Sequence, residues 1–157
     1  MIPETYLHAS FLVPNLELAI EEFGSTFGTR FHAPLSFPIA DLDQIGIDDD
    51  EGLVRYSYSI EGPPYYELIE AVGSHIYKPE QGFGFHHLGM WMDDEQAMRA
   101  HLTDMGIGIS AISWSADHQA LSIFTEPFGP LGLRIEYMNR RFQPMFERFF
   151  STGRLEG

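Results

Sequence analysis

The 157-residue sequence has no cysteine, which excludes a disulfide framework, thiolate metal ligands and a cysteine nucleophile. It is also poor in positive charge. Nine Lys and Arg stand against 23 Asp and Glu, a formal net charge of −14. A field of that sign repels phosphate backbones and does not attract anionic lipid, so neither nucleic acid nor a membrane surface is an expected partner. No apolar run reaches the roughly 18 residues needed to span a bilayer. Met1 to Leu7 holds an acid and no basic region, unlike a secretory signal, and the expected location is cytoplasmic. What the chain does have is apolar mass. Its 44% hydrophobic and 14% aromatic content is enough to bury a core, which excludes disorder.

The most informative stretch is Phe85-His86-His87-Leu88-Gly89-Met90-Trp91-Met92-Asp93-Asp94, an alternating strand that runs into an acidic turn and a helix. It has an echo in His8-Ala9-Ser10-Phe11-Leu12-Val13-Pro14-Asn15. In both, a His opens an apolar run, and an Asn or Asp seven residues later (Asn15, Asp94) is placed to cap a helix.

In chain order, Tyr6 to Val13 reads as a strand. A helix follows whose apolar face is Leu16, Ala19, Ile20 and Phe23, stopping near Gly24 or Gly28. A short strand is expected over 31–37, a Pro- and acid-rich loop over 38–52, and strands over 53–60 and 65–71. The alternating acids of a calcium-binding EF-hand loop are missing from Asp48-Asp49-Asp50-Glu51-Gly52. After His87 come a helix from Glu95 to about Met105 and strands over 109–115, 121–125 and 133–138. Phe142, Met145, Phe146, Phe149 and Phe150 then recur at helical spacing, so the tail is an amphipathic helix that needs an apolar surface to cover, on this sheet or on a partner.

Both halves therefore read strand, helix, strands, turn, strand. The expected division is a first βαβββ module over 1–72, a linker over 73–84, a second module over 85–139 and a helical tail over 140–157. The fold class is α+β, with the two modules building one cupped, mostly antiparallel mixed sheet. Each half ends on a strand carrying a Glu between apolar neighbours: Glu67 lies 59 residues after His8, and Glu136 lies 49 after His87. The surplus falls in the 38–52 loop. A carboxylate on an apolar strand must face water or a cation. Two His and two Glu at equivalent positions make an N2O2 donor set suited to Zn²⁺, Fe²⁺, Mn²⁺, Co²⁺ or Ni²⁺. Neighbours on a strand point to opposite faces, and the repeat selects His87 over His86 as the inward residue. By the same parity Glu70 faces away if Glu67 faces in.

With these residues in place the sequence resembles the vicinal oxygen chelate superfamily, which holds glyoxalase I, methylmalonyl-CoA epimerase, extradiol dioxygenases and the bleomycin and fosfomycin resistance proteins. The resemblance rests on His8 to Leu16, Tyr66-Glu67-Leu68-Ile69-Glu70, Gly84 to Asp94, Glu126-Pro127-Phe128-Gly129 and Leu133 to Glu136, and covers roughly residues 6 to 139. It implies a cup of two βαβββ modules around a divalent metal held by His8, Glu67, His87 and Glu136. It also implies a metal-dependent lyase or isomerase that moves a proton next to a carbonyl of a small, hydrophobic, oxygenated metabolite chelated to the metal. Glu67 or Glu136 would carry the proton. Tyr56, Tyr58, Trp91, Trp114 and Phe124 would line the cup, and a homodimer is implied. The alternatives are a non-haem Fe(II) dioxygenase using His8, His87 and Glu136, and a metal-free binding or resistance protein. The basic residues that hold glutathione in glyoxalase I have no counterpart here.

Overall fold

The computed structural model describes residues 6–44, 51–79 and 82–155. Part of the acidic stretch, 45–50, lies outside the described residues. The element order is β1 (Tyr6–Val13), α1 (Leu16–Phe27), β2 (Leu35–Pro38), β3 (Leu42–Gln44), β4 (Leu53–Tyr58), β5 (Tyr65–Glu70), β6 (Gly84–Met92), α2 (Glu95–Asp104), β7 (Ile109–Trp114), β8 (Ala120–Thr125), β9 (Ile135–Asn139) and α3 (Gln143–Thr152). The expected α+β class is what the chain adopts: among the described residues, nine strands form one curved sheet in the order β2-β4-β5-β1-β6-β9-β8-β7-β3. Of these nine strands, β1–β5 and β6–β9 pair in parallel and the other pairs are antiparallel. The repeat meets itself at the centre, where β1 and β6 run antiparallel.

Local chemistry sets the helix starts. Asn15 Oδ1 accepts from Leu18 N–H, and Asp94 Oδ1 accepts from Ala97 N–H, both at 2.9 Å. Each satisfies one of the free N–H groups of a first helical turn. α1 ends at Gly28, whose φ of 69° places it in the left-handed region that stops a helix. Leu16 and Ala19 of α1 pack with Val13 and Leu68, and Leu102 of α2 packs with Met92 and Ile123. Both helices thus cover one side of the sheet and leave its concave face for other contents.

Three segments depart from the expected pattern. Residues 38–52 are not one loop. A 3-10 turn over Ile39–Asp41 leads into β3, which crosses to pair with β7 on the far edge of the sheet. The strand expected over 31–37 is reduced to β2, with Phe31 making only an isolated bridge to Ser59. Within 73–84, His75–Tyr77 form a 3-10 turn whose three side chains are all buried, so this segment packs as part of the core.

The tail helix finds its apolar surface on the same chain. Phe146, Phe149 and Phe150 of α3 are buried with Leu7, Tyr58, Trp91 and Met138. Phe150 stacks on Tyr65 at 3.8 Å between ring centroids. Burial of each such ring is worth about 1.5–3 kcal/mol, enough to hold α3 against the sheet. No helix is long and apolar enough to cross a membrane among the described residues.

Candidate metal centre

Strand pairing brings the four repeat-derived residues to one level of the concave face. Across β5, β1 and β6 runs a rung of Glu67, Ser10 and His87. Across β1, β6 and β9 runs a second rung of His8, Gly89 and Glu136. The two rungs are the same arrangement seen from each half. In each, the middle residue is small and stands two places after the His of its own strand. At Gly89 the need is steric: a Cβ there would lie 2.1–2.4 Å from three atoms of the His8 ring. Gly89 therefore leaves the space that the His8 imidazole fills.

All four side chains are buried, at 0, 6, 0 and 7% exposure for His8, Glu67, His87 and Glu136. Their donor atoms lie within 4.8 Å of one another. His8 Nε2 is 3.2 Å from His87 Nε2, 3.2 Å from Glu136 Oε2 and 3.4 Å from Glu67 Oε2. His87 Nε2 is 3.2 Å from Glu136 Oε2 and 3.5 Å from Glu67 Oε2. Ligand bonds of about 2.0–2.2 Å around one tetrahedral ion imply edges of roughly 3.3–3.6 Å. Glu67 Oε2 is buried with no hydrogen-bond partner. Two buried carboxylates beside two imidazoles, with an orphaned oxygen, fit a divalent cation in the middle.

The electrostatics agree with a site that wants a cation. Burial works against charge on His87, yet the neighbouring Glu136 and Glu67 carboxylates prevail and push its pKa up to about 9. Burial likewise raises Glu136 and Glu67, and the two imidazoles outweigh it, holding both carboxyls below their ordinary range. Burial, and then the two carboxylates, raise the Tyr56 and Tyr58 phenols, which stay neutral at physiological pH.

His86 departs from the parity expected of a strand. Ser10 pairs with His87 and Phe11 with Phe85, so His86 is the extra residue of a β-bulge. The bulge swings its ring beside that of His87, with the two Nδ1 atoms 2.8 Å apart. His86 Nε2 lies 2.6 Å from the Ile76 carbonyl, which can only accept, so that nitrogen carries the proton. Arg134 Nη1, 3.1 Å from the same nitrogen, is a donor too, and the shorter carbonyl contact decides. Burial, then the charge of His87, lowers the His86 pKa to about 3, so its ring is neutral. Its Nδ1 therefore accepts from His87 Nδ1–H, which leaves His87 Nε2 directed at the other three donors. Glu70 does face away, as parity requires: it accepts from Leu16 N–H and pairs with Arg55.

Above this cluster is a cavity of about 310 Å³. Tyr56, Tyr58, Trp114 and Phe124 line it, together with Glu67, His87 and Glu136. Trp91 does not line it, although it shares the inward parity of His87. It is buried against Phe146, 6.0 Å between centroids, with the Arg140 guanidinium 6.0 Å from its ring centroid. Lining residues that sequence reasoning missed include Phe37, Asp41, Tyr77, Leu121 and Met138, with Phe142, Met145 and Phe146 from the tail. The tail's aromatic period was visible, but not the surface it meets.

A sequence model of the glyoxalase/bleomycin resistance protein/dioxygenase superfamily matches residues 7–121. No curated protein matches the sequence. Among solved structures, methylmalonyl-CoA epimerase from Mycobacterium tuberculosis is similar at TM-score 0.61 and 20% identity, over 86% of this chain and 87% of that one. A Streptomyces coelicolor methylmalonyl-CoA epimerase variant in complex with 2-nitronate-propionyl-CoA is similar at TM-score 0.61 and 17% identity, over 86% and 96%. A hypothetical protein from Bacillus halodurans C-125 is similar at TM-score 0.62 and 13% identity, over 85% and 92%. At these identities the likeness is one of fold.

Proposed function

The chain belongs to the glyoxalase/bleomycin resistance protein/dioxygenase superfamily, and we propose that it is a metal-dependent isomerase or lyase. It moves a proton next to a carbonyl of a small, apolar, oxygenated metabolite. The observation that carries this reading is the buried His8–Glu67–His87–Glu136 cluster at the floor of an apolar cavity. These four residues hold one divalent ion, Zn²⁺, Fe²⁺, Mn²⁺, Co²⁺ or Ni²⁺. Such an ion, held there, would supply Lewis-acid chemistry toward a carbonyl oxygen, which would make the adjacent C–H more acidic.

The protein's own groups do the rest. Glu67, whose Oε2 has no hydrogen-bond partner, is the carboxylate freer to take the proton and return it. Glu136 is tied to both imidazoles and serves mainly to hold them. His86 keeps His87 in the tautomer that offers Nε2. Tyr56, Tyr58, Trp114 and Phe124 exclude water, which strengthens every polar contact inside. An Fe(II) dioxygenase would use His8, His87 and Glu136 alone, leaving Glu67 without a task. The protein is further taken to act in the cytoplasm as a homodimer, for which native mass spectrometry gives the subunit number.

The test has two parts. Elemental analysis should find one metal per chain in the wild type and a deficit in both Glu67→Ala and His87→Ala. Unchanged stoichiometry in the two variants would sink the centre. With 2-hydroxyacetophenone in D2O, the metal-loaded protein should exchange the hydrogens next to the carbonyl, read by NMR, and Glu67→Gln should not.

A further inference from the structure

The cavity that leads to the cluster is lined by none of the nine Lys and Arg side chains, and its His87 faces two carboxylates. The residues outside the described ranges, 1–5, 45–50, 80–81 and 156–157, contain no Lys or Arg either. Several of the cations are engaged elsewhere. Arg30 pairs with Glu61, Arg55 with Glu17 and Glu70, Arg99 with Glu95 and Arg140 with Asp93. Arg141, next to the lining residue Phe142, bonds Gln119 and lies near Asp117. The ionisable groups that do line the cavity are Asp41, Glu67, Glu136 and His87, besides three tyrosines. A divalent ion only balances Glu67 and Glu136. Asp41, exposed at the edge of the lining, adds a further carboxylate and no counter-charge for an anion. A buried anionic group on the substrate would have no counter-charge and would be costly.

The walls add a second constraint. At about 310 Å³ the cavity is at the lower end of small-molecule pockets, roughly 300–1,000 Å³. One wall is built by the tail, from Phe142, Met145 and Phe146, which lie beyond the 7–121 family match. Resting on the metal-centre reading above, we infer that this site selects an uncharged compound: a neutral vicinal dioxygen unit, such as an α-hydroxy ketone, on a small apolar body. Carboxylates, phosphates and CoA-borne diacids are rejected, and the tail helix is the part of this chain that sets the apolar wall.

A matched pair of probes separates the classes. 2-Hydroxyacetophenone is neutral; phenylglyoxylate has the same ring and adjacent oxygens but is an anion. Zinc stoichiometry is measured first, because a chain that takes up no metal refutes the centre and not the charge preference. On zinc-loaded protein, calorimetry should give a Kd for 2-hydroxyacetophenone at least ten-fold below that for phenylglyoxylate. Met145→Lys, which brings a cation to the wall, should narrow or reverse that ratio. Ser151→Lys, exposed on the same helix and away from the cavity, should leave it unchanged. Equal or tighter binding of phenylglyoxylate to the wild type overturns the inference. So does failure of the zinc-loaded protein to bind either probe, or a ratio untouched by Met145→Lys.

Discussion

Replacing Gly89 by alanine tests the two-rung geometry at its tightest point. The added Cβ would sit 2.1–2.4 Å from Cε1, Nδ1 and Nε2 of His8, where ordinary contact begins near 3.4 Å. The ring must therefore retreat by about 1 Å. Metal sites tolerate ligand displacements of only about 0.2 Å. His8 is fully buried, so the retreat also presses on its neighbours, an overpacking cost of about 1–3 kcal/mol. Loss of an orienting partner alone weakens metal binding by roughly 10–100-fold, and displacing a ligand should do at least as much. Competition against a chromophoric chelator measures the affinity, and urea denaturation of the metal-free protein measures the stability. Gly73→Ala, where a Cβ meets nothing within 4 Å, is the matched control and should change neither. Zinc affinity in Gly89→Ala equal to wild type would refute the claim that this glycine makes room for a ligand.

The His87 pKa of about 9, above its ordinary 6.5, means the folded metal-free protein holds a proton the unfolded chain releases. Its contribution to stability is full below about pH 6.5 and lost as pH rises through about 9, while that of Glu67 and Glu136 is lost as pH falls below their ordinary range. Metal-free stability should therefore decline from pH 6.5 to 9, and zinc uptake in that window should release a proton, measurable by calorimetry in buffers of different ionisation enthalpy. Phe149 of α3, 1% exposed and packed edge-on to Tyr58, should cost about 3–5 kcal/mol when cut to alanine, read from the urea midpoint. Asp94→Ala removes the cap on Ala97 N–H and should cost about 1 kcal/mol by the same assay.

How much of this was legible depends on the range of the interaction. β1 and the starts of α1 and α2 follow from local signals: alternation over Tyr6 to Val13, and Asn15 and Asp94 as caps. The convergence of His8, Glu67, His87 and Glu136 followed from the internal repeat, because equivalent strands of a duplicated unit meet about a common centre. The bulge at His86 was not legible, since a one-residue insertion in a strand pairing leaves no trace in the strand's own sequence. β3 is three residues long, too short for a period to declare itself. Trp91 has the right parity and the wrong level: α3 covers it, and only the folded tail reveals that. Gly89 carried a signal that could have been used, because a glycine inside a strand often marks the close approach of another group.

The crossing of β3 has a consequence for how the chain matures. Its partners lie far along the sequence, Leu42 opposite Ser113 and Gln44 opposite Ala111. As the chain leaves the ribosome, β1, β2, β4 and β5 can assemble once residue 70 has emerged, but β3 must wait until β7 has been synthesised. The first half thus cannot complete itself as an autonomous folding unit; its last pairing closes over a span of about 70 residues, a high-contact-order step that belongs late in folding. A duplicated architecture that could in principle be cut into two interchangeable cassettes is, in this chain, laced shut by one short strand.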